Sequence, residues 1–344
     1  MTGSMLDEAY ERVRHTGPER DGWLSNHAPM AVEALTHRGH GETVHRWLDS
    51  YLSRLEERPR GISTIPREQW RDPLGDPVRT GDWLNYFDRE LADEPWRDVL
   101  ARWWPRLLPG IAAGATHGVI RVGHAARALL DQETRPRVTE LGQGLAYWAA
   151  RWQPLAPPGT GPYPITDPRS ALDAVPRVPD QRAGIRARLA QLADLPAWPA
   201  AAGAVPGSDH DDVPTRLAAI VDAAVARHGT HGHGNPVMLV HAATAPNAVL
   251  RALPALPETL WAPSLAAAWA ATAAVTAAYS PPVGRPAPDV RTGLTVDGVL
   301  RRATATGDAH AIKFADTAAD TYARSGDPVV LATVDRSTTQ IADD

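Results

Sequence analysis

The chain contains no cysteine. Disulfides, thiolate metal ligands and thiol nucleophiles are therefore all excluded. It has almost no lysine: of its 35 basic side chains, every one but Lys313 is arginine. Phenylalanine is down to two residues against twelve tryptophans. There is no run of like charge, and a net charge of −5 with a pI near 6.2 argues against a nucleic-acid partner. The most apolar stretch, Leu260 to Tyr279, is alanine-rich and lies between proline-rich segments. A buried helix is expected there rather than a membrane span. The opening "MTGSMLDEAYERVRHTG" is charged where the apolar centre of a leader peptide would lie. A cytoplasmic protein is the expectation.

What is present is a soluble, globular composition, 43% hydrophobic and 22% charged, with helix signals throughout. "SNHAPMAVEALTHRG" offers Asn26 or Ser25 as a cap, Pro29 in the first turn and Gly39 as a stop. "GETVHRWLDSYLSRLEERP" aligns Val44, Trp47, Leu48, Tyr51, Leu52 and Leu55 on one stripe, with a predicted end before Pro59. Strand-like alternation is scarce, so the fold class is all-α. Proline- and glycine-rich connections fall at 153–168, 195–209 and 280–289, but no piece between them has the signs of an independent fold. Residues 1–344 are read as one large helical domain with long loops and a metal site between central helices.

Twelve of the thirteen histidines fall into three groups. His15, His37, His40 and His45 lie in charged contexts that predict solvated helix surfaces. His228, His231 and His233 sit in "RHGTHGHGNP", which reads as an exposed, glycine-rich turn. His27 in "SNHAPM", His117 and His124 in "GATHGVIRVGHAAR", His241 in "MLVHAATAP" and His310 in "DAHAIKF" are embedded in small or apolar residues. An imidazole buried there must be paired or ligated to offset its desolvation. Helical bundles build metal centres from such facing side chains. His117 and His124 share a helix face, so one would ligate while the other contacts substrate. Arg121, one turn after His117, is a candidate for steadying a phenolate.

His310 and Lys313 are spaced i,i+3 and project to the same side of a helix. Burying an ammonium among apolar neighbours drives its pKa down. The neutral amine is a nucleophile, and with carbon dioxide it gives a carbamate, a hard anionic oxygen ligand suited to iron or manganese. Asp316 and Thr317 are candidates for hydrogen-bonding a carbamate or a ligating imidazole.

"NHAPM", "GATHGVIRVGHAAR", "LVHAATAPNA" and "DAHAIKFADTA", in this order, resemble the questin oxidase-like family. The family includes enzymes that oxidatively open rings of anthraquinones and related polyketides. Some members are described as NADPH-requiring Baeyer–Villiger oxidases, and one is a non-haem iron dioxygenase with four histidine ligands and a carboxylated lysine. The resemblance implies His27, His117, His241 and His310 as imidazole ligands, with His124 an alternative to His117, and Lys313 as the carbamylated ligand. It implies Fe(II) as cofactor, O2 as co-substrate, NADPH as an external reductant in some members, and a small aromatic quinone as substrate. Lys313, His124 and Arg121 are the residues expected to serve catalysis. No G-x-G-x-x-G fingerprint between a strand and a helix is present, which favours metal-based oxygen chemistry over a flavin. Twelve tryptophans offer flat walls for such a substrate, with Trp23, Trp83, Trp103, Trp104 and Trp148 as candidates. Two rival classes are a histidine-rich metallohydrolase and a non-catalytic helical protein that sequesters a polyketide.

Overall fold

A computed structural model describes residues 2–22, 24–161, 163, 166–207 and 212–343. The protein is all-α. Among the described residues the only strands are β1 (Glu19–Arg20) and β2 (Leu24–Ser25), an antiparallel pair with Glu19 opposite Ser25 and Arg20 opposite Leu24. The chain divides into two compact units, 1–154 with 251–261, and 155–250 with 262–344.

The first unit carries α1 (Thr2–Val13), α2 (Ala28–His37), α3 (Gly41–Leu52), α4 (Thr80–Asp93), α5 (Trp96–Leu107), α6 (His117–Asp131) and α7 (Arg135–Ala150). Helix α2 is buried from Ala28 to Thr36 because its small residues allow neighbours to approach from every side. The α3 stripe is buried at Val44, Trp47, Leu48 and Tyr51, but the helix stops at Leu52, earlier than the apolar spacing predicts. The following residues leave the helix to pair elsewhere: Gly17 N–H donates to Glu56 O at 2.8 Å, and Thr16 bridges Glu57. Backbone pairing here overrides the 3.6-residue pattern. His40 is a second correction, buried rather than solvated at the N-cap of α3, with its N–H donated to Leu35 O at 2.8 Å.

The tryptophans fill this core. Trp83, Tyr86, Phe87 and Trp103 cluster, with Trp83 stacked on Phe87 at 5.9 Å and the other pairs edge to face at 4.9 to 5.5 Å, and Trp104 meets Trp148 edge to face at 5.4 Å. Each of the four candidate wall tryptophans described is fully buried and is committed to packing; Trp23 lies outside the described residues. Gly118 on α6 permits the close approach of α7, since a Cβ there would fall 2.7 Å from Trp148 Cγ.

The second unit carries α8 (Pro168–Asp173), α9 (Ile185–Ala190), α10 (Trp198–Gly203), α11 (Val213–His231), α12 (Pro236–Leu239), α13 (His241–Ala252), α14 (Trp261–Tyr279), α15 (Val296–Ala305), α16 (Ala309–Ser325) and α17 (Pro328–Ala342); α13 and α14 each extend past its boundary. Acidic or amide caps start many of them. Asp167, Asp212, Asn235, Asp308 and Asp327 accept first-turn N–H groups, meeting the orphan donors that a helix start exposes. The apolar stretch forms α14, which is buried along most of its length, as expected of a core helix. The predicted "RHGTHGHGNP" turn is corrected: α11 continues through His231, and His228 is buried, with its Nε2 against Pro236 O at 2.9 Å. The Arg336 guanidinium donates to Gly229 O of this helix at 2.8 Å.

Candidate metal centre

Each unit holds one pair of imidazoles at the starts of helices. In the first unit, His27 is the N-cap of α2 and His117 is the first residue of α6. Their Nε2 atoms are 2.7 Å apart and their ring centroids 4.6 Å. His117 Nδ1 lies 2.5 Å from Gly114 O, and Tyr51 Oη lies 3.3 Å from His27 Nδ1. The His27 backbone N–H donates to the same hydroxyl at 3.1 Å. The network assigns Nδ1–H to His117, so its Nε2 carries the lone pair.

The backbone invests strain to hold this geometry. Gly114, Ala115 and Thr116 have φ of +53°, +59° and +70°, and left-handed conformations cost side-chain-bearing residues energy. A Cβ at Gly114 would sit 2.2 Å from Tyr147 Oη, so glycine is required there. This segment delivers the Gly114 carbonyl to His117.

The second unit repeats the device. His241 is the first residue of α13 and its Nδ1 lies 3.0 Å from Met238 O, three residues back, as Gly114 is from His117. His310, in the first turn of α16, places its Nδ1 3.1 Å from Asp308 Oδ1, the cap of that helix. The His241 and His310 rings meet edge to face with centroids 5.4 Å apart. All four imidazoles therefore have Nδ1 against an oxygen, which orients the ring and directs Nε2 outward, the arrangement seen where a histidine binds a metal.

Lys313 lies one turn beyond His310 on α16, fully buried, and its Nζ has no hydrogen-bond partner among the described residues. Burial lowers its pKa to about 7, against a smaller opposing effect of Asp308. Burial first, then the charges of Lys313 and His310, push the His241 imidazole well below its ordinary value. Burial raises the Asp308 carboxyl, but the His310 hydrogen bond and charge outweigh it and hold it down to about 2. One turn on, Asn247 of α13 donates to Thr317 Oγ1 at 3.3 Å and to Asp320 Oδ2 at 3.0 Å, tying α13 to α16. Asp316 is fully buried on α16.

The structure brings together His27 with His117, and His241 with His310 and Lys313. His124 and Arg121 are engaged otherwise. His124 Nδ1 is 2.6 Å from Glu33 Oε2, and Arg127 forks onto the same carboxylate at 2.7 and 2.5 Å. Burial lowers the His124 pKa, offset in part by Glu33. The Glu33 carboxyl is raised by burial but carried down to about 2 by Arg127 and His124. Glu33 lies six residues beyond His27, and His124 seven beyond His117, so this bridge fixes α2 against α6. The Arg121 guanidinium is buried and spans both oxygens of Glu140 at 2.5 and 2.8 Å; that fork is filled by protein.

Glu33, Tyr51, Gly114 and Asp308 were not identified from sequence. Asp308 carried a readable signal as an N-cap. The others depend on contacts from distant segments.

The fold and these pairs define a class: an all-α protein that presents buried imidazoles, and one buried amine, from helix N-termini. A family model described as questin oxidase-like matches residues 24–132, the span that holds His27, Glu33, His117 and His124. Over that part of the chain the sequence is similar to the questin oxidase-like family, whose name points to an oxidase. No curated protein matches the sequence. His241, His310 and Lys313 lie outside the matched span, so their case rests on the geometry above.

Proposed function

We propose that this protein is a non-haem iron oxygenase that oxidatively cleaves a ring of a hydroxylated polycyclic quinone. The candidate iron ligands are the imidazoles of His27, His117, His241 and His310 and, as its carbamate, Lys313, which would offer an anionic oxygen. The observation that carries the reading is the Lys313 amine: fully buried, without a hydrogen-bond partner among the described residues, on the same helix as His310 and next to His241 electrostatically. A lone buried amine is costly, and conversion to a ligating anion removes that cost.

The donors fit such an ion. Two nitrogens bound at right angles to one ion at about 2.1 Å stand about 3 Å apart, close to the 2.7 Å between His27 and His117 Nε2. The Nδ1 contacts of His117 and His241 leave Nε2 as the donor atom. With a pKa of about 7, the Lys313 amine is substantially neutral at neutral pH. Its lone pair forms an N–C bond to carbon dioxide, one proton leaves, and a carbamate anion results. Bound iron would supply one-electron chemistry towards dioxygen. The chain's own part is to fix ring orientation, exclude water and hold a flat substrate. Insertion of both oxygen atoms needs no external reductant; insertion of one needs two electrons, for which NADPH is the candidate donor.

The test is iron content after anaerobic purification, together with 13C NMR in labelled bicarbonate. Wild type is expected to bind one iron and to show a carbamate carbon that is absent from Lys313→Ala. Zinc in place of iron, with oxygen-independent ester hydrolysis, would point instead to a metallohydrolase. Equal iron in wild type and Lys313→Ala refutes the ligand assignment.

A further inference from the structure

Within the second unit, a groove of about 460 Å³ opens between α8, α11, the end of α16 and the start of α17, a volume suited to a small molecule. Leu172, Ala223, Pro288, Val329 and Val330 make its walls largely apolar. The charges that line it are two arginines and three aspartates, and every one of the carboxylates is engaged. Asp173 pairs with Arg227, Asp222 pairs with Arg324 at 2.5 Å, and Asp327 caps α17 by accepting the Val329 N–H at 2.9 Å. Apart from Arg169, exposed at the rim, no charge is left over for an ionic ligand. What is left over is uncommitted donor capacity at the base. Thr333 is fully buried, and its hydroxyl has no hydrogen-bond partner among the described residues. Arg227 spends Nη1 on Asp173, while its buried Nε–H has no such partner either. Buried donors in this state are costly, and an acceptor oxygen held between the apolar walls relieves them.

From these features we propose that the groove binds an uncharged ring compound through a carbonyl oxygen. The rings would lie against Leu172 and Val330, with the oxygen turned to the Thr333 hydroxyl and the Arg227 Nε–H, since a carbonyl oxygen accepts two hydrogen bonds. Behind the groove a smaller void shares Leu172, Arg227 and His231 with it and reaches Ala242 and Thr276. Ala242 follows His241 at the start of α13. His228, also on the void, packs its ring against Phe314, the residue after Lys313, with centroids 4.4 Å apart. The groove is therefore also the mouth of a path toward His241 and Lys313. Its role as the substrate's entry rests on the oxygenase reading; the binding site itself does not.

Calorimetric titration of the full chain tests it with 1-tetralone, with tetralin, which is the same frame without the oxygen, and with 1-naphthoate, a carboxylate. The proteins are wild type, Thr333→Val and Ala226→Phe. Valine keeps the shape of the threonine without its hydroxyl, and Ala226 lines the groove from a partly exposed position on α11, so both variants are expected to fold. Wild type is expected to bind 1-tetralone at least about tenfold more tightly than tetralin or 1-naphthoate. Thr333→Val should lose most of the preference over tetralin, and Ala226→Phe should lose binding of both. Absence of 1-tetralone binding by wild type, or equal binding by wild type and Ala226→Phe, overturns the site. Tetralin binding as tightly as 1-tetralone overturns the role of the donors, and tighter binding of 1-naphthoate overturns the uncharged class. Wild type that binds 1-tetralone but holds no iron keeps the site and overturns only its role as the substrate's entry.

Discussion

Replacing Lys313 by methionine is expected to stabilise the metal-free protein and, on the proposed ligand set, to weaken iron binding. The unbranched methionine side chain fills the volume of the lysine stem without the amine. In the folded chain the amine titrates at about 7, against 10.5 for an unperturbed lysine. Because the folded value is the lower one, the unfolded chain binds more protons between these pH values, and stability rises with pH across that window. At pH 7 the unfolded amine is fully protonated and the folded one half protonated, so the penalty is about 4 kcal/mol; at pH 9 it falls to about 2 kcal/mol. Urea denaturation in CO2-free buffer with chelator reads this directly. Wild type is expected to gain about 2 kcal/mol between pH 7 and 9 relative to Lys313→Met, and the variant to be the more stable at both. On the proposed ligand set, adding Fe(II) and bicarbonate is expected to reverse the order, because wild type gains the larger binding free energy. Parallel stability–pH curves for the two proteins would refute the buried-amine argument, whatever the activity.

Four further outcomes follow from contacts already described. Glu33, held down to about 2, contributes stability that is fully present above about pH 4.5 and is lost as pH falls towards 2; integrated, this is about 3 kcal/mol. Glu33→Gln is expected to flatten acid unfolding over that range, and an unchanged curve would show the bridge to be incidental. Tyr51→Phe removes the hydroxyl beside His27 Nδ1 and is expected to weaken iron binding by about 10- to 100-fold, read by competition with a chromogenic chelator. Gly118→Ala forces a Cβ against Trp148, and thermal unfolding should report a loss of about 1–3 kcal/mol. Gly114→Ala, at φ +53° and 2.2 Å from Tyr147 Oη, is expected to displace the carbonyl that orients His117; retained iron with an unchanged Co(II) spectrum would argue against that role.

Helix positions were legible where the code is local. Asp212 and Asp308 act as caps that a reader of sequence can find, because an N-cap side chain answers to N–H groups two or three residues away. At α2 the reading was one residue off: His27 holds the cap position, while Asn26 Oδ1 accepts the Ala28 N–H at 2.9 Å. Boundaries set by distant pairing were hidden, as at Leu52, where the chain turns to meet Gly17 and Thr16. The tryptophans misled for a related reason. A flat ring suits a substrate wall and a core equally, and only the mutual contacts of Trp83, Trp103, Trp104 and Trp148 decide between them.

The candidate site divides along the same line. Residue type and an apolar setting marked His27, His117, His241, His310 and Lys313, since each is costly to bury alone. What composition cannot reveal is which ring nitrogen faces outward. That depends on where each helix begins: a histidine at the first helical position lies over the turn before it, within reach of the carbonyl three residues back. Gly114 serves His117 in this way and Met238 serves His241. In both cases the helix start fixes the tautomer, so the element that ends the preceding turn also selects the donor atom. His124 lacks this placement. It lies in the middle of α6 with its Nδ1 against Glu33, and its position in the helix, more than its spacing from His117, assigns it to the bridge between α2 and α6.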